Sequence, residues 1–268
     1  VDPAPALTPE PEGRLAWRLL PLMVYPLAQS TAFALACLLA DHAPLAAAAW
    51  WALSALLLVS SVHIALHEWV HVRRSWAVIA VSAPFSLIVG LPFDGYRLHH
   101  LNHHQHDNGP GDFSCTWRAA PDGPRPRRLL PYCLGWPAQA LRARRSIHDG
   151  LARGEAQATT RRLIEAQKVL LLLAIAALAW WSPRAALLYL AMTYAGWTLV
   201  SLQNYGQHPP RLGGGVPGAS CTSRLYNLVF ANNGLHWEHH RAPGRPWYRL
   251  RADPAAPRSP GPHLLNVR

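Results

Sequence analysis

The sequence predicts an all-α membrane protein: four transmembrane helices, a re-entrant or interfacial segment, and a cytoplasmic cap rich in histidine. Three observations carry this expectation. Half of the 268 residues are hydrophobic, yet the mean hydropathy is only +0.02, so the apolar residues must be gathered into blocks. Four blocks, at 19–40, 45–66, 163–181 and 185–205, are long enough as helices to cross a hydrocarbon core of about 30 Å. Most of the 15 histidines fall in spaced clusters beside those blocks.

Residues 1–13 contain four prolines and are expected to be disordered; no basic stretch leads into an apolar run there, as a signal peptide would require. The block 19–40 carries no charge and starts with Pro21 and Pro26, which favour a kink near its entrance. After a turn at 41–44, the second block runs directly into His67 and His71. As one helix, 45–71 would be about 40 Å long, which sets this His pair just beyond the membrane boundary. Arg73 and Arg74 follow and mark that side as cytoplasmic.

Residues 76–93 are apolar but interrupted by Pro84, Gly90 and Pro92. The next His cluster must reach the same site as the first, so this segment is expected to turn back rather than cross. Residues 117–162 hold ten Arg against three acidic residues, a second cytoplasmic marker. The third block begins with Glu165 and Lys168 near that same side, where long side chains can snorkel to the interface. Ser182-Pro183-Arg184 turns the chain into the fourth block, which ends near His208. A Gly-rich loop at 213–218, a helix at 225–240 and a Pro-rich tail at 252–268 complete the reading. The domain proper is thus 14–251, with both termini and every His cluster on one side.

Net charge is +11, almost wholly from Arg, since Lys168 is the only lysine. No nucleic-acid-binding motif accompanies the Arg, so anionic membrane lipids or an acidic protein are the expected partners. Cys37, Cys115, Cys133 and Cys221 stand far apart without a C-x-x-C pair, which excludes a disulfide framework and a cysteine-bound metal centre.

The histidines define the chemistry. His67-Glu-Trp-Val-His71 places two imidazoles one helical turn apart, and His100, His103 and His104 have i, i+3, i+4 spacing that recurs at His236, His239 and His240. Neutral imidazole is a common ligand of transition metals. Read alone, His67-Glu68-x-x-His71 is the zinc-protease signature, but the many further imidazoles nearby point to a polynuclear site. A non-catalytic metal-binding membrane protein is the alternative from another class. His42, His148 and His263 stand alone in loops or tail and are read as ordinary residues.

The order H-x3-H, H-x2-H-H, H-x2-H-H among four apolar blocks resembles the integral-membrane fatty-acid desaturase superfamily, which includes acyl desaturases, alkane hydroxylases and carotenoid ketolases. The likeness rests on 67–71, on Tyr96-Arg-Leu-His-His-Leu-Asn-His-His104, and on Asn233-Gly-Leu-His-Trp-Glu-His-His240 with the trailing Pro246-Trp-Tyr-Arg-Leu250. It implies two iron ions that activate O2 with electrons from a separate donor, such as ferredoxin and its reductase, to oxidise a C–H bond of a lipid-soluble substrate. The ligands it implies are His67, His71, His100, His103, His104, His208, His236, His239 and His240. His63 and His99 are the substitutes, and His106 is left outside the set. Glu68, Asp107, Asp112 and Glu238 are candidates to orient the imidazoles. Acyl desaturation is the favoured reaction, with a hydroxylase or ketolase acting on an alkyl chain or carotenoid as the alternative. The stretch Asp107-Asn-Gly-Pro-Gly-Asp112 departs from the pattern expected after the second cluster in either group.

Overall fold

A computed structural model describes residues 12–120, 122–150 and 155–266, and these are helical almost throughout. The stretch expected to be disordered, 1–13, lies outside them except for its last two residues, which open helix α1 (Glu12–Leu19). A 3-10 turn, Leu20–Met23, joins α1 to α2 (Val24–Leu39), and Leu15–Leu39 is together long and apolar enough to cross a membrane. Pro21 lies in that turn and Pro26 in the first turn of α2, where a missing N–H costs little.

The second span, α3 (Pro44–Val70), begins with proline at its first position and widens into a π segment over Ser61–Leu66. The third and fourth, Ala158–Trp181 and Pro183–Leu212, belong to α8 (Glu155–Trp181) and α9 (Pro183–Gln207). Ser182 caps α9 by accepting from the Ala185 N–H at 3.2 Å, and Pro183 fixes the first helical φ. Helices α2 and α9 both pack on α3. At Gly196 a Cβ would stand 2.8 Å from the Leu58 side chain, so glycine lets α9 and α3 approach closely. Leu58, Val62, Leu66, Phe85, Val89 and Phe93 form the buried centre. Leu170, Leu172, Leu173 and Trp180 face outward, as a lipid-facing surface requires.

Between α3 and α8, where a re-entrant or interfacial hairpin was expected, the chain forms two helices that meet at a bend. Helix α4 (Trp76–Val89) is capped by Ser75 and ends at Gly90, whose φ of 74° only glycine adopts freely. Helix α5 (Phe93–His106) follows at 90° to α4. The corner is fixed by the Phe93 N–H donating to Ser86 Oγ at 2.9 Å. Beyond it, the Asp94 N–H donates to Gln167 Oε1 at 3.1 Å, and Gln167 Nε2 donates to Asp94 Oδ2 at 2.7 Å. The bend therefore comes from the Gly90–Pro92 break and is held by α8.

Two short helices, α6 (Leu129–Leu134) and α7 (Trp136–Gly150), lie between α5 and α8. The expected single helix at 225–240 is instead α10 (Arg224–Val229) and α11 (His236–Arg241). Ala231 and Asn232 between them are left-handed, with φ of 47° and 58°. The break is stabilised from outside: Asn233 Nδ2 donates to the His63 carbonyl at 2.8 Å, and Asn232 Nδ2 to the Trp247 carbonyl at 3.0 Å. The Pro-rich segment read as a tail packs back as far as residue 266, where Asn266 Nδ2 donates to the Gly206 carbonyl at 2.7 Å. His263 is consequently buried, with its Nε2 3.1 Å from the Ala219 carbonyl, so the segment read as a tail holds it inside the protein.

Candidate metal centre

Four elements deliver the histidines. The end of α3 brings His67 and His71, α5 brings His100, His103 and His104, the end of α9 brings His208, and α11 brings His236, His239 and His240. The nine come together as two groups, and within each group the ligand atoms lie within 4.8 Å of one another. One group holds His67, His71, His100, His104 and His239; the other holds His103, His208, His236 and His240. The i, i+4 pairs (67/71, 100/104, 236/240) stay together, while the i+3 members, His103 and His239, go to the opposite group. Residues four apart are offset by about 40° on a helix and residues three apart by about 60° the other way, so each H-x2-H-H cluster straddles both groups.

The donor set fits metal ions. In the five-histidine group the Nε2 atoms of His71 and His100 lie 3.0 Å apart, those of His100 and His104 2.9 Å, and those of His104 and His239 2.9 Å. A neutral imidazole offers one N–H and one lone pair, so such a chain of nitrogens is poorly satisfied by hydrogen bonds alone. In the other group the Nε2 atoms of His208 and His236 are 2.8 Å apart, while Nε2 of His103 and of His240 are buried without any partner. Buried polar atoms are nearly always satisfied, and a shared cation would satisfy these. Burial first, and then the neighbouring imidazoles, hold His236, His239 and His240 well below their ordinary pKa, which leaves them neutral and able to donate a lone pair.

The departing loop after α5 supplies carboxylates. His103 donates from Nδ1 to Asp112 Oδ2 at 2.8 Å, and His240 from Nδ1 to Asp107 Oδ1 at 2.7 Å. Asp107 and Asn108 are left-handed, which curls the loop so that both carboxylates face the four-histidine group. Burial would raise the Asp112 carboxyl, but His103 and the Ser114 N–H outweigh it and hold the group below its ordinary range. Burial raises Asp107.

The other two carboxylates are engaged elsewhere. Glu68 points away from the cluster: Arg18 Nε donates to it at 2.6 Å and the Trp247 N–H at 3.2 Å. Such a carboxylate is misplaced for the water-activating role in a zinc protease. Glu238 accepts from Ser220 Oγ and from the Asp253 N–H. Both are buried.

The two substitutes stand apart. His63 would share the face of His67 on a regular α-helix, but it lies in the π segment and its Nε2 is 3.2 Å from the Val200 carbonyl. His99 Nε2 lies 2.6 Å from Ser114 Oγ. His106 turns back to Asn102 within its own helix, His42 is exposed, and the side chain of His148 lies outside the described residues. Sequence reading missed Arg18. Only its partner, 50 residues away in the chain, reveals its role.

A cavity of about 510 Å³ reaches the histidines. His67, His100, His103 and His236 line its inner end, so it touches both groups, and α7, α8 and α9 form its walls. Leu91, Tyr96, Ile164, Leu171, Trp197 and Val200 make those walls largely apolar.

The family model described as fatty acid desaturase matches residues 42–255. No curated protein and no solved structure matches the chain.

Proposed function

Because the chain belongs to the fatty acid desaturase family, an oxidoreductase family of membrane proteins, we propose that it removes two hydrogens from adjacent carbons of an acyl chain, using O2 and a pair of iron ions. The observation that carries this reading is the apolar cavity whose inner end is lined by histidines from both groups.

His67, His71, His100, His104 and His239 would hold one iron, and His103, His208, His236 and His240 the other. Iron held there would supply an oxidant strong enough for an unactivated C–H bond, drawing on O2 and two external electrons. Atoms balance when O2, two electrons and two protons take up the two hydrogens as two waters. The protein's own part is positional. The walls around Tyr96, Trp197 and Leu171 exclude water and hold a hydrocarbon chain extended. Asp112 and Asp107 accept the Nδ1 protons of His103 and His240, which fixes their tautomers and turns each Nε2 lone pair inward. Arg73, Arg74 and the Arg-rich 117–162 region favour a cytoplasmic face for this end of the helices. A separate acidic donor of the ferredoxin type would dock there, because among the recognised motifs of this chain there is no haem, flavin or cysteine-cluster segment.

The test joins metal content to product. Purified protein should carry close to two irons, and lipids from a host expressing it should contain a new double bond. Activity with one zinc and no iron would overturn the reading. A new hydroxyl or keto group with two irons present would redirect it to the hydroxylase or ketolase reaction.

A further inference from the structure

A row of aromatic rings leads outward from the five-histidine group. Tyr96 stacks on His100 with ring centroids 5.8 Å apart and planes 18° from parallel. Trp197 follows at 5.8 Å from Tyr96, Trp136 at 5.9 Å from Trp197, and Tyr194 at 6.0 Å from Trp136. Each step lies within the range of aromatic rings in contact. The row starts inside the protein: Trp197 is 7% exposed, and Tyr96, Trp136 and Trp197 line the cavity. It ends outside, because Tyr194 is 42% exposed. Leu187, Leu190 and Tyr194 are all exposed and fall on one face of α9, an apolar span, so this end of the row faces lipid.

All four rings are phenols or indoles, whose electron-rich systems are among the most easily oxidised in proteins, and no phenylalanine interrupts them. Their polar handles suit that property. The Trp197 Nε1–H donates to the Val89 carbonyl at 2.7 Å, the Trp136 Nε1–H to the Tyr194 carbonyl at 3.2 Å, and the Tyr194 hydroxyl to the Leu134 carbonyl at 3.2 Å. An indole that loses an electron becomes cationic and its N–H more acidic, so a carbonyl oxygen on that N–H stabilises the oxidised ring. Packing alone accounts for contact between rings. It does not call for an unbroken oxidisable path from a clustered histidine to an exposed phenol.

We propose that this row drains oxidising equivalents from iron held by the five-histidine group when the cavity holds no substrate, and that a hydroquinone dissolved in the bilayer refills it at Tyr194. This rests on the iron-dependent oxidation proposed above. An oxidant able to break an unactivated C–H bond is also able to oxidise a phenol or an indole, and Tyr96 is the phenol stacked on a clustered histidine. Tyr194 gives up one electron, which passes inward through Trp136, Trp197 and Tyr96 and reduces the iron by one, while one proton enters the site from water. The phenolic proton of Tyr194 goes to water at the membrane surface, leaving a neutral radical. The hydroquinone then gives Tyr194 a hydrogen atom, restoring the O–H bond and itself being oxidised by one electron.

The test treats iron-loaded protein in phosphatidylcholine nanodiscs with hydrogen peroxide in the absence of substrate. Freeze-quench EPR reads radicals, mass spectrometry maps oxidised residues, and iron is measured on the same sample. Wild type should show a radical whose hyperfine pattern collapses when the protein contains ring-deuterated tyrosine, with Tyr194 the main oxidised residue. Tyr194→Phe should remove that signal and move oxidation back to Trp136 and Trp197. It should leave the initial rate of product formation unchanged but reduce the number of turnovers before inactivation. Trp136→Phe should abolish oxidation at Tyr194, and Trp136→Tyr, which stays oxidisable, should restore it, both at wild-type iron content. A hydroquinone included in the disc should erase the wild-type radical. Oxidation of Tyr194 that is unchanged in Trp136→Phe overturns the proposal, as does a radical that persists beside the hydroquinone. Two irons and a new double bond without any aromatic radical would sink the row and leave the desaturation reading standing. The expected radical pattern with two irons but no new double bond would do the reverse, and protein without iron would overturn both.

Discussion

The two histidine groups differ in how they are held. In the four-histidine group, carboxylates bond directly to the imidazoles: Asp112 to His103 and Asp107 to His240. Among the hydrogen bonds of the described residues, those of the five-histidine group run between imidazoles: His71 to His100, His100 to His104 and His104 to His239. Glu68 sits between His67 and His71 in sequence but faces Arg18 and the backbone of Trp247. That group is braced one step away, by an ion pair whose side chains are both 5% exposed. Trp247 Nε1 also donates to the Arg18 carbonyl at 2.9 Å, so the brace joins α1, the end of α3 and the segment after α11. The contrast separates two jobs of a buried carboxylate. Directly on a ligand it sets tautomer and basicity; removed from the ligands it fixes the backbone that carries them.

Direct loss of a ligand should have the largest effect and tests whether there are two sites. His100→Ala and His208→Ala should each cut activity by more than about 100-fold, because loss of an outer partner alone costs roughly 10–100-fold. Each should release metal from one group, leaving nearer one iron than two by elemental analysis. If either variant kept both irons, the ligand set would need revision.

Breaking the brace comes next. Arg18→Met takes the guanidinium from Glu68, and disrupting a buried ion pair costs up to about 3–5 kcal/mol. Thermal unfolding should show a marked drop in midpoint, and the iron that remains should be released from the five-histidine group first. A midpoint unchanged from wild type would mean that Glu68 is held without Arg18.

Asp112→Asn should act more narrowly. It should weaken one iron by roughly 10–100-fold in chelator competition and leave the other unchanged. Asp107→Asn should follow the same pattern with a smaller effect, because that side chain is 35% exposed and Asp112 is fully buried. Equal weakening of both irons would erase the distinction between the groups.

The smallest effect is expected far from both groups. Arg142→Gln with Arg145→Gln should raise the donor concentration for half-maximal rate a few-fold, and turnover should fall as salt rises from about 50 to 300 mM. Turnover indifferent to both changes would make these arginines topology and lipid signals only.

What the sequence determined by itself was whatever depends on local periodicity and composition. Charge-free runs beginning near Leu19 and Leu45 marked spans, and Gly90 and Pro92 marked a break, because helix length and Gly–Pro punctuation act within a few residues. The spacing of His100, His103 and His104 likewise identified a cluster, since a helix fixes which neighbours share a face. The division of the nine into five and four was not legible there. His103 and His104 are adjacent in sequence, and only the packing of α3, α5, α9 and α11 sends them to different groups. The partners of the carboxylates were equally hidden, because Asp107 meets His240 across 133 positions and Glu68 meets Arg18 across 50. The sequence at 225–240 suggested one helix, but bonds from Asn233 to His63 and from Asn232 to Trp247 stabilise a break between two. Local rules set what each segment is able to do. The tertiary structure decided which buried polar groups satisfy one another, because that requires contacts between segments far apart in the chain.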